Sequence, residues 1–203
     1  MELHIEGMDC SGKSSSISEL EKKAPLTRRH RILAAGNPFI TSFREMQQQH
    51  PWNSPEVTNE LLNAIRHDIQ NYVPSTGFIV QESTLITKGY AMRIVDGMPR
   101  NLYQLFEELL DTYPSFDFSV YMTVDEDVRI ERLRKRLESG GRVTPNDQIM
   151  IDDPERFRKI DKVMLGIART AFDAVILDTT KMTPDDIVNE LLSIKESRYN
   201  EKQ

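Results

Sequence analysis

Apolar positions along the chain change period several times, and each change marks an element. Leu3, His4 and Ile5 form a short strand-like run that stops at Gly7, and from Gly12 to about Ala24 Ile17 and Leu20 share one face of a helix that ends before Pro25. His30 to Ala35 (HRILAA) reads as a second strand, broken by Gly36-Asn37-Pro38. Pro38 to Gln49 sets Phe39, Ile40, Phe43 and Met46 at helical spacing. Ser54-Pro55-Glu56 then supplies a cap, a proline for the first turn and an acid, opening a helix through Leu61, Leu62, Ile65 and Ile69 to about Tyr72. After Pro74 to Gly77, Phe78-Ile79-Val80 makes a buried strand ending at Gln81, Glu82 and Ser83. Helical segments at about Leu85 to Val95 and Asn101 to Tyr113 flank Gly97-Met98-Pro99, and Phe116 to Val124 is a long strand rich in aromatic and β-branched residues.

Asp125 caps the next helix, with Val128, Ile130, Leu133 and Leu137 on its apolar side and five basic residues crowding the rest. Gly140-Gly141 ends it. The polar stretch from Gly141 to Asp153 is too long for a plain connection and has the size of a lid, before a helix from Pro154 to Ala171. Asp173 to Thr179 is the last strand, and Thr183-Pro184-Asp185-Asp186 caps a helix through Ile194, with a polar tail from Lys195 expected to fray. Five strands alternating with helices predict one α/β domain with a mainly parallel sheet.

The first strand leads into a motif that carries chemistry. Gly7, Gly12, Lys13 and Ser14 satisfy G-x-x-x-x-G-K-S/T in the strand–loop–helix context the pattern requires. Glycines let backbone N–H groups turn inward around a polyphosphate, and the following helix points its positive end at the same anion. The loop, Gly7, Asp9, Cys10, Ser11, Gly12, Lys13, Ser14 and Ser15, is therefore the candidate binding site for ATP. In it Lys13 reaches the β and γ phosphates and Ser14 holds Mg2+.

Composition narrows the rest. The chain has 203 residues, 38% of them hydrophobic, and a net charge of −6, which argues against a general nucleic-acid-binding surface. Its one cysteine, Cys10, excludes a disulfide framework and fits a reducing, cytoplasmic setting. Neither a signal-like apolar segment nor a run long enough to span a membrane is expected.

Three blocks, IEGMDCSGKSS at 5–15, VYMTVDEDVRIERLRKR at 120–136 and AVILDTTKMTPDDIVNELL at 174–192, resemble the P-loop nucleoside and nucleotide kinases, and among them the thymidylate kinases. The resemblance implies the P-loop NTPase fold, a three-layer α/β/α sandwich with a five-stranded parallel sheet, an ATP donor with Mg2+, and a lid at about 139–154. It also implies a homodimer. Asp9 resembles the acidic residue that thymidylate kinases direct toward the acceptor's sugar hydroxyl. The middle of the chain departs from the pattern: Gln81-Glu82-Ser83 stands where thymidylate kinases carry an Asp-Arg pair, and Asn63 replaces a base-stacking Phe. Glu82-Ser83 also resembles the Glu-Arg-Ser of deoxynucleoside kinases without its arginine.

Phosphoryl transfer asks mainly for positioning and positive charge. Arg142 is the first candidate for the lid cation and Arg134 the second, with Arg156 and Arg158 in reserve; a solvated basic helix face is the alternative for each. Glu82 is a candidate to hold a Mg2+-bound water or to accept a proton, or else a helix cap. Arg44 and Arg66 are candidates to grip an acceptor phosphate, and Tyr90 and Phe39 to stack on a base unless they are core. The expected activity is transfer to a nucleoside monophosphate, with a pyrimidine deoxynucleotide as acceptor. A kinase acting on the hydroxyl of a nucleoside or modified base, and a nucleotide-binding module without turnover, are the competing readings.

Overall fold

The computed structural model describes residues 1–74 and 76–201. Its strands are β1 (Glu2–Glu6), β2 (Thr27–Arg31), β3 (Ile79–Thr84), β4 (Phe118–Thr123) and β5 (Val175–Asp178). They form one sheet in the order β2-β3-β1-β4-β5, with every neighbouring pair parallel. The helices among the described residues are α1 (Lys13–Lys23), α2 (Phe39–Gln49), α3 (Pro55–Asn71), α4 (Leu85–Asp96), α5 (Arg100–Asp111), α6 (Glu126–Glu138), α7 (Pro145–Asp152), α8 (Pro154–Phe172) and α9 (Pro184–Glu201).

Parallel strands need crossovers, and the crossover helices cover both faces of the sheet, so the central strands are buried throughout. Leu3 and Ile5 of β1 and Val120 and Met122 of β4 pack with Ile17 and Leu20 of α1 and Ile187, Val188 and Leu191 of α9. The opposite face carries Tyr121, covered by a larger core that includes Leu61 and Ile65 of α3, Ile86 and Tyr90 of α4, and Ile160 and Met164 of α8. The three-layer α/β/α expectation holds, and the phosphate loop leaves the carboxyl end of the central strand.

Two elements differ from the sequence reading. The second strand is Thr27–Arg31, not His30 to Ala35. Among the described residues β2 is an edge strand paired with β3, so hydrogen bonding along its backbone, rather than an apolar pattern, defines it. The apolar run Ile32-Leu33-Ala34 leaves the sheet instead, and buried Asp68 of α3 accepts the N–H groups of Leu33 and Ala34 at 3.0 and 3.2 Å. The lid is not a bare loop: it contains α7, opened by a capping box in which Thr144 Oγ1 accepts from Asp147 N at 3.2 Å and Asp147 Oδ2 accepts from Thr144 N at 2.6 Å.

Smaller differences have local causes. Asp125 precedes α6 as expected, but its side chain makes no capping bond, and its N–H donates to Thr180 Oγ1 at 3.0 Å. The tail expected to fray from Lys195 continues α9 to Glu201, while 202 and 203 lie outside the described residues. No described helix is long and apolar enough to cross a membrane.

Candidate active site

The phosphate loop is held from within and from behind. Gly7 sits at φ 143°, and a Cβ there would lie 2.5 Å from the Met122 carbonyl oxygen, so glycine is required by both conformation and space. Gly12, at φ 103°, turns the chain into α1. Lys13 Nζ donates to the carbonyls of Gly7 at 2.6 Å and Met8 at 2.9 Å, keeping the amine over the loop. Glu6 closes the strand end: it accepts from Gly7 N and from Thr84 N, each at 3.0 Å, and so joins β1 to β3.

Behind the loop stand residues that the sequence reading did not single out. Arg129 Nη1 donates to the Asp9 carbonyl at 2.8 Å, Arg132 Nη1 to the Cys10 carbonyl at 3.2 Å, and Thr179 Oγ1 to the Ser11 carbonyl at 2.7 Å. Arg129 is buried, with its guanidinium 5.0 Å from the Phe157 ring centroid. The basic crowd on α6 therefore divides: Arg129 and Arg132 turn inward, while Arg134 pairs with Glu131 and Glu138 on the exposed face. A signal that sets Arg129 apart is its helical phase with buried Leu133, four residues on.

Glu82 ends β3 beside α1. Ser14 Oγ donates to Glu82 Oε1 at 2.5 Å, Arg28 Nε donates to Oε2 at 2.9 Å with its Nη2 on the same oxygen, and His30 Nδ1 lies 3.2 Å from it. Burial pushes the carboxyl up, but the hydrogen bonds from His30, Ser14 and Arg28 outweigh it and hold Glu82 at about 2. Arg28 and His30 were missed because they alternate along a strand whose register was misread. Ser14 and Glu82 offer hard oxygen donors side by side, and no group of three or more His, Cys, Asp or Glu among the described residues forms a metal cage. That donor set fits Mg2+, which keeps waters and takes its remaining ligands from phosphate.

A cavity of about 1060 Å3 runs from the loop to α2. At the loop end it is lined by Lys13, Ser14, Ser15, Arg132, Lys135 and Arg136, and at the far end by Phe43, Arg44, Gln47, Trp52, Leu61 and Met92. Asp9 faces the lid: its Oδ2 accepts from Thr144 Oγ1 and from Asn146 Nδ2, each at 3.0 Å, and Lys88 Nζ lies 3.6 Å from Oδ1. Burial opposes its charge, but Lys88, Lys13 and the two lid donors hold its carboxyl well below the usual range.

Other candidates fall elsewhere. Arg142 and Arg66 are exposed and do not line the cavity, whereas Arg44 does. Tyr90 is core, stacked on Phe106 with ring centroids 4.9 Å apart and hydrogen-bonded to Glu107. Phe39 meets His67 edge-on at 6.1 Å, away from the cavity lining. Of the reserve arginines, Arg156 lines the cavity while holding Asp96 through Nε and Nη2 at 2.9 Å, and exposed Arg158 pairs with Glu126.

A five-stranded parallel sheet in this order, with G-x-x-x-x-G-K-S at the end of its central strand and a helical lid over the loop, defines the P-loop nucleoside and nucleotide kinases. The comparisons agree. The probable thymidylate kinase of Pyrobaculum aerophilum is 30% identical over 136 residues, which are 65% of this chain and 69% of that protein. The chain belongs to this family of P-loop nucleotide kinases, near the thymidylate kinases. The cytidylate kinase of Rickettsia bellii is 25% identical over 103 residues, 51% of this chain and 48% of that enzyme, so the chain spans about half the length of the first such relatives. No family model matches. In fold, the thymidylate kinase of Candida albicans superposes with a TM-score of 0.65 at 17% identity, covering 98% of this chain and 92% of that one. The deoxyadenosine kinase of M. mycoides gives 0.66 at 17% identity, covering 97% and 99%.

Proposed function

We propose that the protein uses ATP and Mg2+ to phosphorylate a nucleoside monophosphate, with a pyrimidine deoxynucleotide as the acceptor class. The observation that carries this reading is the two-ended cavity: cations stand at the phosphate loop, Lys88 among them beside Asp9, and Arg44 lines the far end beside the apolar wall of Phe43, Trp52, Leu61 and Met92. A neutral hydroxyl acceptor has no charge to match such cations, whereas a monophosphate does.

The chemistry follows from charge and position. Backbone N–H groups of the loop and the α1 terminus bind the donor's phosphates, and Lys13 exchanges its contacts with the loop carbonyls for the β and γ oxygens. Ser14 and Glu82 are the residues that would hold Mg2+, which would supply further positive charge against the phosphates. Arg132 and Arg136 lie along the same wall and meet charge that develops on the transferred group. The lid, joined to the loop through Thr144, Asn146 and Asp9, excludes water from the reacting phosphates.

A nucleoside-hydroxyl acceptor is the second reading, favoured by the carboxylate of Glu82 at the strand end. Against it, that carboxylate already accepts from Ser14 and Arg28. Mass spectrometry of reactions with ATP, Mg2+ and a panel of nucleosides and nucleoside monophosphates tests both readings. Diphosphate products support the proposal; phosphate gained only by nucleosides transfers it to the second reading, and no product with any acceptor removes both.

A further inference from the structure

Two neighbouring arginines of β2 serve opposite faces of the sheet. The register with β3 pairs Arg28 with Val80, Arg29 with Gln81 and His30 with Glu82. Side chains alternate along a strand, so Arg28 and His30 share the face of Glu82, while Arg29 turns to the other and meets Glu2 at 2.8 Å. Arg28 stands two residues short of the level of Glu82. Its long side chain closes that gap, with Nε at 2.9 Å and Nη2 beside it on the one oxygen Oε2.

A carboxylate offers two oxygens with about four acceptor positions. Oε2 of Glu82 meets two nitrogens of Arg28, and His30 Nδ1 lies 3.2 Å from it, whereas Oε1 accepts from the Ser14 hydroxyl at 2.5 Å. Glu82 is buried while Arg28 and His30 stay partly exposed, so the two β2 side chains cover the carboxylate from the edge of the sheet. A guanidinium fork fixes direction as well as charge, and here it keeps the carboxyl from turning about its own axis. The consequence reaches Ser14. Its hydroxyl has one hydrogen, and spending it on Oε1 leaves the lone pairs as the part that can meet a cation.

We propose that Arg28 is a positioning residue for the Mg2+ site: by fixing Oε2 of Glu82 it turns Oε1 toward Ser14 and holds these two hard oxygens ready for the metal–nucleotide complex. The assignment rests on the ATP and Mg2+ part of the function proposed above and is independent of the acceptor class. A buried carboxylate needs a countercharge nearby. A countercharge alone does not need two nitrogens on the oxygen that Ser14 leaves unused.

The test compares the parent protein with Arg28→Gln, Arg28→Lys and Arg29→Gln by thermal melting and by calorimetric titration with ATP, once with Mg2+ and once with EDTA. Loss of a group that orients a metal-holding side chain costs about 10- to 100-fold in affinity for the metal. The Kd for ATP with Mg2+ therefore rises by about 10-fold or more in Arg28→Gln, while the Kd in EDTA stays at the parent value. Arg28→Lys keeps the charge without the fork and recovers part of the Mg2+-dependent affinity. Arg29→Gln breaks an ion pair on the same strand, so it lowers the Tm and leaves both Kd values unchanged. If Arg28→Gln fails to fold, Arg28→Lys decides alone, and a Kd with Mg2+ weaker than the parent's supports the assignment. A parent-like Kd with Mg2+ in the folded Arg28 variants, a loss that is equal with Mg2+ and with EDTA, or the same loss in Arg29→Gln overturns it and leaves Arg28 a countercharge. A parent protein whose ATP affinity does not respond to Mg2+ removes the Mg2+ reading, and the assignment with it.

Discussion

Thr179, just past β5, donates its hydroxyl to the carbonyl of Ser11 at 2.7 Å and so ties the end of the sheet to the middle of the phosphate loop across 168 residues of sequence. The same hydroxyl lies 3.0 Å from the Thr123 carbonyl and accepts from Arg132 Nη1 at 3.1 Å. Thr179→Val keeps the shape and removes this junction, which is buried. Urea denaturation is expected to show a loss of about 1–3 kcal/mol, because the buried Ser11 carbonyl loses its donor while Thr123 keeps the Thr179 N–H. Calorimetry is expected to show weaker ATP binding, and Thr179→Ser restores both.

Lys13→Ala separates chemistry from folding. The amine's contacts are with loop carbonyls, so the variant still melts cooperatively in calorimetry. Its kcat falls by about 10²-fold or more, since a cation aimed at the transferred phosphoryl group acts mainly in the transition state. Turnover near the parent rate would show that the loop does not carry the reaction.

Asp9 gives a pH signature. Its carboxyl is held below the usual range by Lys88, Lys13 and the lid donors, against burial, so its ionised form is favoured by folding. A depressed folded pKa contributes stability that is present above the unfolded value, about 4, and is lost as pH falls through the folded value. Asp9→Asn removes this contribution. The Tm difference between parent and variant is therefore expected to be constant above about pH 5 and to shrink below about pH 4. A difference independent of pH would show that Asp9 stabilises the lid without its charge.

Arg136, rather than Arg142, joins the lid to the cavity. Arg136 lines the cavity and pairs with fully buried Asp147, which closes the α7 capping box with Thr144, while Arg142 is exposed outside the lining. Arg136→Ala is expected to lower kcat more than Arg142→Ala does. It also strands a buried carboxylate, at a cost of about 3–5 kcal/mol, so the double variant with Asp147→Asn regains much of the stability without regaining kcat. Equal kcat losses for the two single variants would return the lid role to Arg142.

The phosphate loop was legible because it is local. Gly7, Gly12, Lys13 and Ser14 lie within eight residues, and their spacing alone dictates a turn of backbone N–H groups and a helix start. The alternation of strands and helices likewise predicted the layers, since an apolar run between crossovers has few places to go. The rest of the cavity is assembled from β2, α2, α4 and the lid, and no local pattern announces it. Tyr90 had the spacing of either a stacking ring or a core residue, and only its packing on Phe106 decides for the core.

Sequence by itself determined the phosphate loop, the parallel α/β layering and the helix starts at Ser54 and Thr183, because each depends on contacts within a few residues. Tertiary structure alone decided which of many similar arginines matter. Arg129 and Arg132 brace the loop, Arg28 holds Glu82, Arg134 is spent on its own helix, and Arg31 lines the cavity. All carry the same side chain and charge. What separates them is the direction in which the backbone presents each one and whether a carboxylate or carbonyl waits there, and both are set by partners distant in the chain.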